Sequence, residues 1–148
     1  MLYLVRFIGG IRMKFDQTKT NNTLLAQLGI KIIEIKEDGT CIATMPVDER
    51  TKQPFGYLHG GASVALAETV TSLGAASLVN LEEQLVFGQE INANHIRPKK
   101  DGIVTAIATV IHQGRTSMVY EARILDEKEK MISISRATIA VVKKKSIG

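Results

Sequence analysis

The residues best suited to chemistry lie between Gln53 and Leu78, in the stretch QPFGYLHGGASVALAETVTSLGAASL. From Gly60 to Leu81 the one ionisable side chain is Glu68. It stands among Val64, Leu66, Val70 and Leu73, with no opposite charge within helical reach. Such a carboxylate is expected to lose part of its hydration, a state in which carboxylates serve as catalytic acids or bases. The structural alternative is an ion pair with Arg97, Arg115 or Arg123 from a neighbouring strand, since such pairs also perturb carboxylates.

A helix must carry this group. The run is too long for a strand, and Ala62, Ala65, Leu66, Ala67, Leu73, Ala75 and Ala76 all favour helix. Its apolar residues do not keep to one stripe, which predicts a helix buried nearly all round. The segment is about long enough to span a bilayer. Glu68, the interspersed serines and threonines, and the lack of a second such segment favour a soluble helix wrapped by sheet instead.

The 148 residues suffice for one domain with a real core and are too few for two. An apolar content of 45% with 23% charged residues is ordinary for a soluble globular protein. The single cysteine, Cys41, excludes an intrachain disulfide framework and multi-cysteine metal sites. Lying in a predicted strand, it reads as a small buried hydrophobe, and a reducing, cytoplasmic setting fits. The net charge of +4, much of it from Lys143-Lys144-Lys145, mildly favours anionic partners. Without aromatic residues interleaved in a basic patch, nucleic acid is not an expected partner, and neither is a membrane. Residues 1–12, MLYLVRFIGGIR, are apolar but lack the basic start, long apolar stretch and cleavage site of a signal peptide. Met13-Lys14 looks like an ordinary start. The expected division is an N-terminal extension over 1–12 and a single domain over 13–148.

In chain order, Asn21 or Asn22 is expected to cap a short helix through Leu24, Leu25 and Leu28, closed by Gly29. A strand over 30–36 should turn at Asp38-Gly39 into a second over 40–47. The long helix is expected to end near Asn80. Strands follow over 90–97, stopped by Pro98, and over 103–111. Then Met118, Tyr120, Ala122 and Ile124 alternate with Val119, Glu121 and Arg123, a half-buried antiparallel strand. The last strand runs over 131–142. The fold class is therefore α+β, with one long helix against a curved antiparallel sheet. One such sheet covers only one side of a helix, so a partner chain is expected to supply the remaining cover.

QPFGYLHGGASVALAETVTSLGA resembles the central helix of the hotdog-fold thioesterases, in the branch of the aryl- and acyl-CoA thioesterases. That branch includes thioesterases of the phenylacetate pathway and of enterobactin proofreading. The likeness runs from about Leu24 to Val142; GQEINANHIRP and HQGRT are further matches. Gln53, His59-Gly60-Gly61, Glu68 and Ser72 sit at the family's spacing. The resemblance implies hydrolysis of an acyl-CoA or acyl-carrier-protein thioester, with Glu68 as nucleophile or as general base for water. The Gly60 backbone N–H would polarise the carbonyl oxygen, consistent with the free donors of a helix N-terminus. Gln53 and His59 would position the acyl group and the Gly60 turn. Ser72, one turn after Glu68 on the same helix face, would orient the water or the carboxylate. His95, Arg97 and the turn Gly114-Arg115-Thr116 would lie where coenzyme A passes, with the Arg115 fork suited to phosphate. The resemblance also implies a homo-oligomer, a dimer or dimer of dimers, with sites between subunits.

The duller roles are a helix-start residue for His59, a surface loop for Gln53, a packing residue for Ser72 and a surface ion pair for Arg115. A metal held by His59, His95 and His112 finds no tight ligand spacing, and neither metal nor cofactor is expected. There is no nucleophile elbow, phosphate-binding loop or dinucleotide fingerprint. Two rivals share the fold: a hotdog hydratase or dehydratase, whose acid–histidine pair is absent here, and a non-catalytic acyl-CoA-binding protein, against which Glu68 argues.

Overall fold

The structure, a computed structural model, describes residues 17–146. The extension over 1–12 and the start at Met13 lie outside them. Helix α1 (Leu24–Leu28) is entered through Thr23, one or two residues later than expected, and closed by Gly29 at φ 69°. Asn22 instead takes a positive φ of 62°, a conformation asparagine tolerates. Strands β1 (Lys31–Ile35) and β2 (Cys41–Pro46) form the expected hairpin. Gly39 supplies the positive φ, and Asp38 Oδ1 accepts from the Thr40 N–H at 2.9 Å.

Helix α2 (Gly60–Ser77) is followed by β3 (Gln84–His95), β4 (Ile103–Gln113), β5 (Ser117–Leu125) and β6 (Met131–Lys143). All pairings are antiparallel, in one sheet of order β1-β2-β4-β5-β6-β3. α2 touches every strand of that sheet. Leu66 and Val70 of α2 are fully buried with Met45, Val104, Met118, Tyr120, Ile124 and Ile139. Each such side chain contributes about 1.5–3 kcal/mol of burial free energy. Two of the three buried polar residues of α2 are accommodated inside the helix: Thr71 and Ser77 donate to the carbonyls of Glu68 and Gly74, at 3.1 and 2.7 Å.

Two expectations need correction. α2 is not buried all round within one chain. Ala62, Ser63, Leu66, Ala67, Val70, Thr71, Gly74 and Ala75 form a buried stripe, whereas Gly61 and Glu68 are exposed and Val64, Ala65, Thr69, Ser72 and Leu73 only half-buried. The single sheet covers one side, and the apolar residues of the other side stay open. Second, β3 starts six residues earlier than the expected 90–97, because Gly88 reads as a breaker in sequence. In the sheet that glycine is paired with Ile139, and a bulge at Gln89 restores pairing from Glu90 onward. β3 ends the sheet, so its outer backbone edge has no strand partner among the described residues.

Candidate active site

The start of α2 is held by the segment before it. Gly56 N–H donates to the Gln53 carbonyl at 2.9 Å and Gln53 N–H to the Tyr57 carbonyl at 2.8 Å, closing a tight turn. Leu58 and His59 N–H groups are taken by the Lys99 and Thr51 carbonyls, at 2.7 and 2.8 Å. His59 is the N-cap: its Nδ1 accepts from the Gly61 N–H at 2.8 Å. It therefore shapes the helix start, as both its functional and its dull reading required. Gln53 Oε1 accepts from the Phe55 N–H, leaving its Nε2 donors free to face a ligand.

Gly60 opens α2, and the His95 ring rests against it: a Cβ there would lie 2.8 Å from His95 Nε2. Gln53, Tyr57, Gly60, Ser63, His95 and Arg97 line a cavity of about 340 Å³ at this end of the molecule. Arg97 is partly committed, its Nη1 donating to the Met131 carbonyl at 2.7 Å. This end offers donors, as a developing oxyanion requires.

Glu68 and Ser72 belong to a second cavity of about 330 Å³, with walls from Leu24, Leu25, Thr69 and Leu73. Glu68 forms no ion pair with any described residue. The ion pairs among the described residues are Arg50–Asp48, Lys99–Glu127 and Arg123–Glu121. The expected desolvation of Glu68 does not occur within one chain, where it is exposed. Its apolar sequence neighbours turn inward, and it projects from the open face of α2 over Gly88 of β3.

The residues named by resemblance thus fall into two groups. Opposite residues of antiparallel strands share a face, so Gly88, Ile91, Ala93 and His95 face α2 together with their β6 partners Ile139, Ala137, Ser135 and Ser133. His95 marks the Gly60 end and Gly88 the Glu68 end. The turn Gly114-Arg115-Thr116 joins the second group: Ser117 pairs with Ala140, which also pairs with Phe87, and Val141 N–H donates to the Thr116 carbonyl at 2.8 Å. Seven residues of β6 separate Ala140 from Ser133, roughly 23 Å of strand. His95 and Arg97 therefore do not meet Arg115 within one chain. Arg115 is exposed and has no hydrogen-bond or ion-pair partner among the described residues. Among those residues no three His, Cys, Asp or Glu side chains gather as a metal site would require.

Residues 55–133 match the family model of the thioesterase superfamily. This chain belongs to that superfamily. The thioesterase is 51% identical over 118 residues to a 1,4-dihydroxy-2-naphthoyl-CoA hydrolase of Listeria monocytogenes, covering 80% of this chain and 94% of that one. Among solved structures it is similar to a thioesterase of Haemophilus influenzae, with a TM-score of 0.83 and 44% identity over 89% of this chain and 94% of the other. A thioesterase of Staphylococcus aureus, solved as a glutamine-to-alanine variant, superposes with a TM-score of 0.77 at 46% identity, covering 80% of this chain and 97% of that one. The hotdog architecture of this thioesterase is thus shared with its relatives, and its chemistry is thioester hydrolysis.

Sequence reasoning missed Gly88, although a glycine inside a strand pattern is a known sign of close approach by another group. It also named Leu24 and Leu25 only as residues of a short helix, whereas they wall the cavity beside this thioesterase's Glu68. Nothing in the local sequence marks that wall, because it forms across two helices more than thirty residues apart.

Proposed function

We propose that this thioesterase hydrolyses acyl-CoA or acyl-carrier-protein thioesters with an aromatic or medium-length acyl group, at sites shared by two copies of the chain. The reading is carried by Glu68, a carboxylate without an ion-pair partner among the described residues, beside an apolar cavity on the open face of α2. In it, the acyl group enters that cavity, and the carbonyl oxygen takes hydrogen bonds from the Gly60 N–H and Gln53 Nε2 of the other copy. Glu68 either takes a proton from water as the water oxygen bonds to the carbonyl carbon, or attacks that carbon itself to give an anhydride that water then opens. In both routes the C–S bond breaks, the thiol leaves with a proton, and the free acid remains.

Two copies are needed because Gly60 and Glu68 stand roughly 12 Å apart along α2, while one carbonyl must touch both groups at about 3 Å. The position of β3 at the end of the sheet, with no strand beyond it among the described residues, supports the pairing. If two β3 strands pair antiparallel about Asn92, so that residues of like facing stand opposite each other, His95 of one copy lies opposite the Gly88–Gln89 bulge of the other. Both split groups are then reunited, with Gln53, His59, Gly60 and His95 from one chain and Glu68, Ser72 and Arg115 from its partner copy.

Relatives lend further support. The Staphylococcus aureus thioesterase has been solved with a glutamine and, separately, a glutamate replaced by alanine. Those positions are fifteen residues apart, the spacing of Gln53 and Glu68 here. The Listeria relative's name specifies an aromatic acyl-CoA. The test is thiol release from benzoyl-CoA, hexanoyl-CoA and acetyl-CoA, with the matching carrier-protein thioesters. Hydrolysis of the first two well above acetyl-CoA is expected; no thiol released from any of them would overturn the reading.

A further inference from the structure

Gly88 lies in β3 directly beneath Glu68. A Cβ built on it would fall 2.4 Å from Glu68 Oε1, against 3.4 Å or more for ordinary contact. The backbone does not itself demand glycine here, since Gly88 is not among the residues with positive φ. The space above it does. The contact atom is the far end of a flexible side chain, so a methyl group would be relieved by moving the carboxylate and not by opening the sheet. Gly88 also sits at the bulge at Gln89, where register shifts before pairing resumes at Glu90. Bulges re-aim neighbouring groups and concentrate next to active sites.

We propose that Gly88 is a positioning residue for the reaction: its missing side chain leaves the seat in which the Glu68 carboxylate rests while aimed at the thioester. The inference rests on the reading of Glu68 as the reacting carboxylate. Relief of the contact requires a carboxylate shift of about 1 Å, and a misplacement of that size costs on the order of a hundredfold in turnover. Substrate binding draws on the apolar wall and on contacts remote from Gly88, so KM should hold.

The experiment is a double-mutant cycle of Gly88→Ala with Glu68→Asp, measured on benzoyl-CoA and hexanoyl-CoA with thermal unfolding alongside. Gly88→Ala should lower kcat between ten- and a hundredfold, with KM within about threefold and Tm nearly unchanged. Aspartate withdraws the carboxylate by one methylene, away from the new methyl. In the Glu68→Asp chain the same change should therefore cost no more than about twofold. Three results would overturn the proposal: wild-type kcat in Gly88→Ala, an equal fractional loss in both backgrounds, or a collapse of Tm that assigns the glycine to the sheet itself. Glu68→Gln run in parallel separates the two levels, because full hydrolysis by that variant would defeat the reading of Glu68 whatever Gly88 does.

Discussion

Gly60 and His95 are in contact: the first residue of α2 leaves room for the imidazole at the end of β3, which would lie 2.8 Å from any Cβ placed there. Alanine is a better helix former than glycine, so Gly60→Ala should leave the unfolding temperature within a few degrees of the parent. The methyl group must push His95 aside and crowd the N–H proposed to polarise the carbonyl. Turnover should fall at least about tenfold. Parental turnover in Gly60→Ala would show that no substrate oxygen approaches this helix start.

Glu68→Gln keeps size and polarity while removing the charge that both proposed routes require. Turnover should fall by about a hundredfold or more, with binding of a non-hydrolysable thioether analogue of benzoyl-CoA retained. Near-parental hydrolysis would exclude the carboxylate from the chemistry.

Arg115 extends from an exposed turn, remote from Gly60 within its own chain. Its replacement by alanine should raise KM for coenzyme A thioesters and leave kcat nearly intact, as expected for uniform binding to a distant phosphate. Thioesters carrying only the pantetheine arm should be unaffected. An equal loss with these short substrates would mean that Arg115 does not bind phosphate.

These predictions draw on features of unequal visibility in the sequence. The alanine-rich run from Gly60 and the apolar alternation from Met118 to Ile124 are local signals, and both elements formed there, although α2 ends at Ser77, three residues short of the expected Asn80. The order of helices and strands followed from the turn at Asp38-Gly39 and the stop at Pro98. Pairing is not local, and the first half of β3 escaped notice because the partner that makes a strand of Gly88, Ile139 of β6, lies about fifty residues away. The environment of Glu68 was misjudged for a related reason. Sequence neighbours three and four residues away on a helix need not surround a side chain, and here Leu66 and Val70 turn toward the sheet while Glu68 faces outward.

Cys41 gives the fold an alkaline limit. Burial pushes its thiol from the ordinary 9.0 up to about 12, so above pH 9 the unfolded chain releases a proton that the folded chain retains. This stabilising difference is complete below pH 9 and declines as pH rises, at about 1.4 kcal/mol per unit at most. Burial also raises the Tyr120 phenol, whose Oη donates to the Gly39 carbonyl at 3.3 Å, adding a similar loss above pH 10. Urea midpoints should fall between pH 8 and 11, and Cys41→Ala should flatten the part between pH 9 and 10. An unchanged slope in that variant would remove Cys41 from the account.

The shared site makes a quantitative demand on mixed assemblies. Gln53 belongs to the Gly60 group and Glu68 to the other, so each dimeric site would draw one from each chain. Gln53 serves this purpose better than His59, whose Nδ1 caps α2 and whose loss would cost about 1 kcal/mol of helix stability as well. Gln53→Ala and Glu68→Ala chains, each first shown to be nearly inactive, are mixed in equal amounts, unfolded and refolded together. Half of the resulting dimers are hybrids under random pairing, and each hybrid carries one intact site and one site with both defects. Recovered activity should therefore be roughly a quarter of that of the parent protein. Each variant refolded alone should recover none. A purified hybrid, separated by distinct affinity tags, should show about half the parental activity. A hybrid as inactive as its two parents would place Gln53 and Glu68 in the same site of one chain, against the separation of Gly60 from Glu68 along α2.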